Sequence, residues 1–179
     1  GSFGQRAERL GELGKRPLYD NGSGKTPGLG GTTTIHYDPR SRERTHMHMS
    51  LLGTEVNCAG GPTPRGTWIS CEETTVGPEH GLPWQQPHGY CFEVAADLDT
   101  GLVKPQPIKS MGRFRHAAVA VNPQTGIVYL SEDLGDGLMY RYVPNVPEKL
   151  LEGGQLQAMA MTERLSADTR DWEGVPPWS

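Results

Sequence analysis

The chain has 179 residues, of which only 35% are hydrophobic, and 24 Gly and 15 Pro punctuate it throughout. That composition excludes long helices as the main architecture and favours many short strands joined by turns. A net charge of −4 gives no basic stripe for nucleic acid, and no apolar run reaches the roughly 18 residues that span a bilayer.

The start, Gly1-Ser2-Phe3, carries neither a charged leader nor an apolar run. The expectation is that any export signal is absent from this chain. Residues 1–30 read as a loop-rich N-terminal segment dominated by Gly and charged residues. Within it Gly24-Lys25-Thr26 resembles the end of a phosphate-binding loop. The motif fails, because Tyr19 stands where its first Gly is required and no apolar strand leads in.

Strand signals begin at Gly31 and define a second region, 31–179. Thr32-Thr33-Thr34-Ile35-His36-Tyr37 is β-branched and aromatic, and Asp38-Pro39-Arg40-Ser41 supplies a turn. Thr45-His46-Met47-His48-Met49-Ser50-Leu51 then alternates strictly, with both His on one face and both Met on the other. Two His at i, i+2 could bind a metal. The pattern favours a hairpin with the Met residues packed inward and the His residues in solvent.

An internal repeat follows. Gly66-Thr67-Trp68-Ile69-Ser70-Cys71-Glu72-Glu73 aligns without gaps on Gly126-Ile127-Val128-Tyr129-Leu130-Ser131-Glu132-Asp133 at an offset of 60 residues. Each copy follows a Pro-containing turn, ends in two acids, and leads through a Gly-containing loop to an aromatic strand (Gly89–Val94, then Met139–Val143). Strand, turn, strand, acidic loop and aromatic strand is the pattern of a β-propeller blade. The fold expectation is therefore all-β and propeller-like, with two units and a partial third around residues 31–52. About four or more units close a ring, so the chain reads as a fragment or as one that associates to complete the propeller. Residues 152–161 suit a strand or a short helix, and the tail from Asp168 to Trp178 carries no capping element.

Paired acids at strand ends are costly to bury unless they meet water or a cation. Glu72-Glu73 and Glu132-Asp133 either form an exposed acidic rim or gather hard cations such as Ca²⁺. Asn57-Cys58-Ala59-Gly60-Gly61 sets a thiol beside two glycines that allow close backbone approach, as a metal or anion site requires, although most buried cysteines are inert. The three cysteines, Cys58, Cys71 and Cys91, are an odd number and make a poor disulfide scaffold. Arg113 and Arg115 suit a phosphoryl group or neutralise the acidic loops, and His116 beside them is either a structural histidine or a participant in chemistry.

Together these stretches resemble the PhoX alkaline phosphatase family. The resemblance runs through Gly30–Asp38 (GGTTTIHYD), Gly53–Gly61 (GTEVNCAGG), Thr63–Glu73 (TPRGTWISCEE), His88–Val94 (HGYCFEV), Gly112–His116 (GRFRH), Val121–Tyr129 and Glu132–Tyr142. It covers roughly residues 28–178.

The resemblance implies a six-bladed propeller exported by the twin-arginine route to the periplasm or beyond, hydrolysing phosphate monoesters at a centre holding Ca²⁺ and Fe³⁺. By motif, it makes Cys58 an iron ligand and Glu72, Glu73, Glu132 and Asp133 ligands of the metal cluster. Arg113 and His116 become the candidate catalytic residues. The family pattern has Glu after this His, where this chain has Ala117, and Arg65 stands where the family has Trp. Two alternatives remain: a non-catalytic, Ca²⁺-stabilised propeller or binding module, and an esterase or lactonase on the same scaffold. The partners expected are phosphate-ester small molecules, with no nucleic acid and no membrane span.

Overall fold

A computed structural model describes residues 15–81 and 83–160. Among them the protein is all-β. Nine strands are joined by loops and four single 3-10 turns, and no α-helix is present. Among the described residues no helix is long and apolar enough to cross a membrane.

Strands β1 (Gly30–Asp38) and β2 (Glu43–Thr54) form a separate two-stranded antiparallel hairpin. The other seven make one sheet in the order β5-β4-β3-β6-β7-β8-β9. Its members are β3 (Asn57–Pro62), β4 (Thr67–Glu72), β5 (Cys91–Ala95), β6 (His116–Val121), β7 (Val128–Glu132), β8 (Met139–Pro144) and β9 (Gly154–Ala158).

The sequence repeat is a structural repeat. β3-β4-β5 and β6-β7-β8 are antiparallel meanders whose first strands lie side by side and parallel, with Gly60 opposite Ala118. Equivalent loop hydrogen bonds recur. Glu73 N–H donates to the Val56 carbonyl and Asp133 N–H to that of Arg115. Glu72 N–H reaches the Tyr90 carbonyl and Glu132 N–H that of Leu138. β9 extends only the second unit, and it settles residues 154–158 as strand. The tail 161–179 and residues 1–14 lie outside the described residues.

Three departures from expectation have physical causes. The segment around 31–52 is a hairpin outside the large sheet rather than a further member of it. Its Met residues do not pack inward: Met47 is 49% and Met49 40% exposed. Burial on β2 begins only at Ser50, where Leu51 joins Phe92 and Val94 in a small apolar cluster, so the distal hairpin has no core to face. Residues 15–30 are loop-rich as expected, yet they are pinned, for Tyr19 and Asp20 N–H groups donate to the Leu52 and Gly53 carbonyls.

The main core lies against the large sheet, where Ile69, Cys71, Val119, Val128, Leu130 and Tyr142 meet Ile108, Met111 and Phe114. The glycines beside Cys58 make its central seam possible. A Cβ on Gly60 would stand 1.9 Å from the Ile69 carbonyl oxygen, and one on Gly61 2.2 Å from that of Val119. Close backbone approach was read from these glycines, and here it is strand against strand. Gly60 also has φ +66°. We expect Gly60→Ala to lose on the order of 2 kcal/mol or more, through combined backbone strain and steric overlap. The midpoint of urea unfolding would measure it.

Candidate functional site

Because β3 and β6 run parallel and β4 and β7 return antiparallel to them, both acidic strand ends fall at the rim where β3 and β6 begin. Cys58, His116 and the loops carrying His88 and Arg113 open at the same rim. One end of the sheet therefore gathers Cys58, Glu72, Glu73, Arg113, His116, Glu132 and Asp133. Their side chains, however, do different things.

Glu72 is fully buried, and both its oxygens are occupied. Oε1 accepts from Glu55 N–H at 2.9 Å and from His88 Nδ1 at 2.6 Å, and Oε2 accepts from the N–H groups of Gly89 at 2.7 Å and Tyr90 at 3.1 Å. Four donors fill the acceptor positions of one carboxylate. On the far side of the imidazole, His88 Nε2 meets Asp20 Oδ2 at 3.3 Å, and Asp20 also accepts from Gly22, Gln85 and Gln86 N–H. His88 and Asp20 are as buried as Glu72.

An imidazole between two carboxylates donates through both nitrogens only as the cation. Burial alone would lower the His88 pKa, but Glu72 and then Asp20 outweigh it and raise it above the ordinary value. For Asp20 burial pushes upward, yet three backbone N–H groups and His88 bring it net below its ordinary value. Tyr19 completes the assembly, its ring edge-on to His88 and its hydroxyl donating to the Pro87 carbonyl at 2.6 Å. Burial, followed by the Glu72 charge, raises its pKa.

Glu132, the repeat equivalent of Glu72, does similar work. Its Oε2 accepts from Leu138 N–H and the Tyr140 hydroxyl, both at 3.1 Å. The first acid of each pair thus closes the loop to the third strand of its unit. The second acids diverge. Glu73 lies near the Cys58 thiol, which burial first and this carboxylate also push above its ordinary pKa. Asp133 is exposed and lies 3.4 Å from Arg115.

Arg113 and His116 are engaged structurally. The Arg113 guanidinium donates to the carbonyls of His88, Thr75 and Val76 and pairs with Glu79, lacing the β4–β5 loop together. His116 is fully buried beneath Phe114, its ring centre 3.6 Å away. Burial lowers its pKa to about 4, so the ring is neutral, and Nε2–H donates to the Gly112 carbonyl at 3.2 Å. Its Nδ1 is buried with no partner.

Comparison with known families matches residues 27–177 to the one described as alkaline phosphatase PhoX. The chain belongs to the PhoX alkaline phosphatase family. No curated protein and no solved structure matches it.

A PhoX-type metal centre can be tested against these side chains. Cys58 and Glu73 fit, because a thiol with a carboxylate near it offers one soft and one hard donor. The bare Nδ1 of His116 is a third unspent donor. Glu72 does not fit, since all its acceptor positions are filled. Among the described residues no three His, Cys, Asp or Glu side chains already surround one point.

Sequence reasoning missed Asp20 and left His88 without a role. His88 lies inside a matching stretch, HGY, and that was the signal available. Asp20 had none, being 68 residues away in the chain.

Replacing His88 with Gln leaves two buried carboxylates without their cation, and a loss of about 3–5 kcal/mol is expected. The pH dependence has a definite sign. Since His88 is raised, its contribution is complete below about pH 6.5, the unfolded imidazole value, and is lost as pH climbs through the folded value. Asp20 is lowered, so its contribution holds above roughly pH 3.9 and is lost as pH falls through its folded value. Melting temperature against pH should decline above neutrality in the native chain, and His88→Gln should flatten that decline.

Proposed function

We propose that this chain is a portion or divergent copy of a six-bladed propeller phosphatase that hydrolyses phosphate monoesters outside the cytoplasm, using calcium and iron. The family match across residues 27–177 carries this reading, together with the placing of Cys58 and the acidic strand ends at one rim.

In this proposal Cys58 and Glu73 hold one cation, and Glu132 and Asp133 contribute from the neighbouring unit. The cations supply charge neutralisation of the phosphate ester and orient its displacement. The chain's own residues do the rest. Glu72 fixes the β4–β5 loop through His88 and so holds Glu73 in place. Arg113 keeps that loop laced at the rim, while the more exposed Arg115 is the guanidinium able to leave Asp133 and meet a phosphoryl group. His116, neutral and buried, supports the rim rather than transferring a proton. Binding the metal removes the Cys58 thiol proton, so metal uptake strengthens as pH rises.

A second reading, a Ca²⁺-stabilised module without turnover, draws on two observations. Ala117 stands where the family has Glu, and Arg113 and His116 are both spent on main-chain carbonyls.

The full chain, incubated with Ca²⁺ and iron, should melt at higher temperature and hydrolyse p-nitrophenyl phosphate, and Cys58→Ser should lower iron content and turnover at least tenfold. Restoring the family residue with Ala117→Glu should raise iron content and turnover. If neither chain turns over while Ca²⁺ still raises the melting temperature, the module reading replaces the enzyme. No metal uptake and no thermal shift would remove both.

A further inference from the structure

The proposed phosphatase centre leaves the β1–β2 hairpin without a role, yet this hairpin carries half of the chain's six histidines. Its register sorts them by face. His36 stands directly opposite His46, and Thr34 opposite His48. Residues two apart on a strand share a face, so His36, His46 and His48 lie together. Ile35, Tyr37, Met47 and Met49 take the other side.

The rings are neighbours. His36 and His46 have centroids 6.4 Å apart, and His46 and His48 5.4 Å apart. With a zinc–nitrogen bond of about 2.1 Å, each ring centre lies roughly 3.2 Å from the ion, and two rings at a tetrahedral angle sit about 5.3 Å apart. The His46–His48 spacing already meets this figure, and the His36–His46 spacing exceeds it by what a side-chain rotation recovers. His46 is exposed and His36 half-buried, and on a strand both common χ1 rotamers are populated.

A second observation points to a ligand. Both ring nitrogens of His48 are shielded from solvent and have no hydrogen-bond partner. Shielded, unpaired polar atoms each cost of the order of 1–3 kcal/mol. A bound cation would use one nitrogen of His48 outright.

We propose that His36, His46 and His48 form a site for a divalent cation of the zinc class, independent of the phosphatase centre. Two ligands at i, i+2 on one strand and a third on its antiparallel neighbour leave the fourth position of a tetrahedral ion to water. No cysteine contributes, and an all-imidazole set selects Zn²⁺, Ni²⁺ or Cu²⁺ over Ca²⁺. Since no three such groups among the described residues yet converge on one point, the site closes as the rings turn inward. Closure staples β1 to β2, which matters because an isolated two-stranded hairpin is marginally stable.

The test is a Co²⁺ titration of the metal-free full chain, followed by visible absorption and repeated with Zn²⁺ as competitor. One equivalent, apart from cobalt held at the rim, should bind with the intense bands of a tetrahedral nitrogen site, and Zn²⁺ should displace it. His36→Ala and His46→Ala should each weaken binding at least tenfold, whereas Cys58→Ser should remove only thiolate–cobalt bands and leave the nitrogen-site bands in place, which separates this site from the rim. Metal-free His48→Phe should melt no lower than the native chain, but it too should lose the bands. An unaltered spectrum in the His36→Ala, His46→Ala double variant, or no binding at micromolar Co²⁺, would overturn the proposal.

Discussion

The two repeat units meet along a seam one glycine pair wide. β3 is pressed between β4 and β6 so closely that Gly60 and Gly61 have carbonyl oxygens where any other residue has a Cβ. The seam is parallel, and a parallel seam between antiparallel meanders has a geometric consequence. The second strand of each unit must finish where both first strands start. The acidic residues share a rim because of this constraint on strand direction, and electrostatics has only to tolerate the result.

Tolerance is arranged locally and unequally. At Glu72 the carboxylate is withdrawn from water entirely, which is sustainable only because His88 is charged and three N–H groups complete its shell. The cation is sustained in turn by Asp20, drawn in from the N-terminal segment. That loop-rich segment therefore does more than drape over the sheet. It delivers the second counter-charge of a buried network and, through Tyr19, an aromatic edge against His88 and Phe92. Removing the segment would strand a half-paired cation in the interior, which links the order of residues 15–30 to that of the rim.

The periodic features were legible in sequence. The 60-residue repeat, the all-β class, the turns and the acidic strand ends all depend on neighbours in the chain, and the strands formed where the pattern put them. The hairpin faces were misread because alternation reports which residues share a side and says nothing of where the core is. Met47 and Met49 share a side, but no core lies beneath it. The network at Glu72 was illegible for another reason. It joins residues 20, 72 and 88, and nothing in a single sequence couples Asp20 to His88. Adjacent acids look alike in sequence, yet in each pair the first holds the following loop and the second faces surroundings of its own.

That division explains how a repeat can yield an asymmetric site. In both units the first acid accepts main-chain N–H groups from the following loop, Glu72 from Gly89 and Tyr90, Glu132 from Leu138. This role belongs to the repeated meander and recurs with it. The second acid is free of that duty and takes whatever its own surroundings offer. Glu73 meets the thiol of Cys58, whereas Asp133 meets the guanidinium of Arg115. A carboxylate beside a thiol sets a hard donor next to a soft one, and a carboxylate beside a guanidinium is a neutralised pair. The two units therefore differ at this rim in the second position of each pair, and the first position holds the loop that follows it.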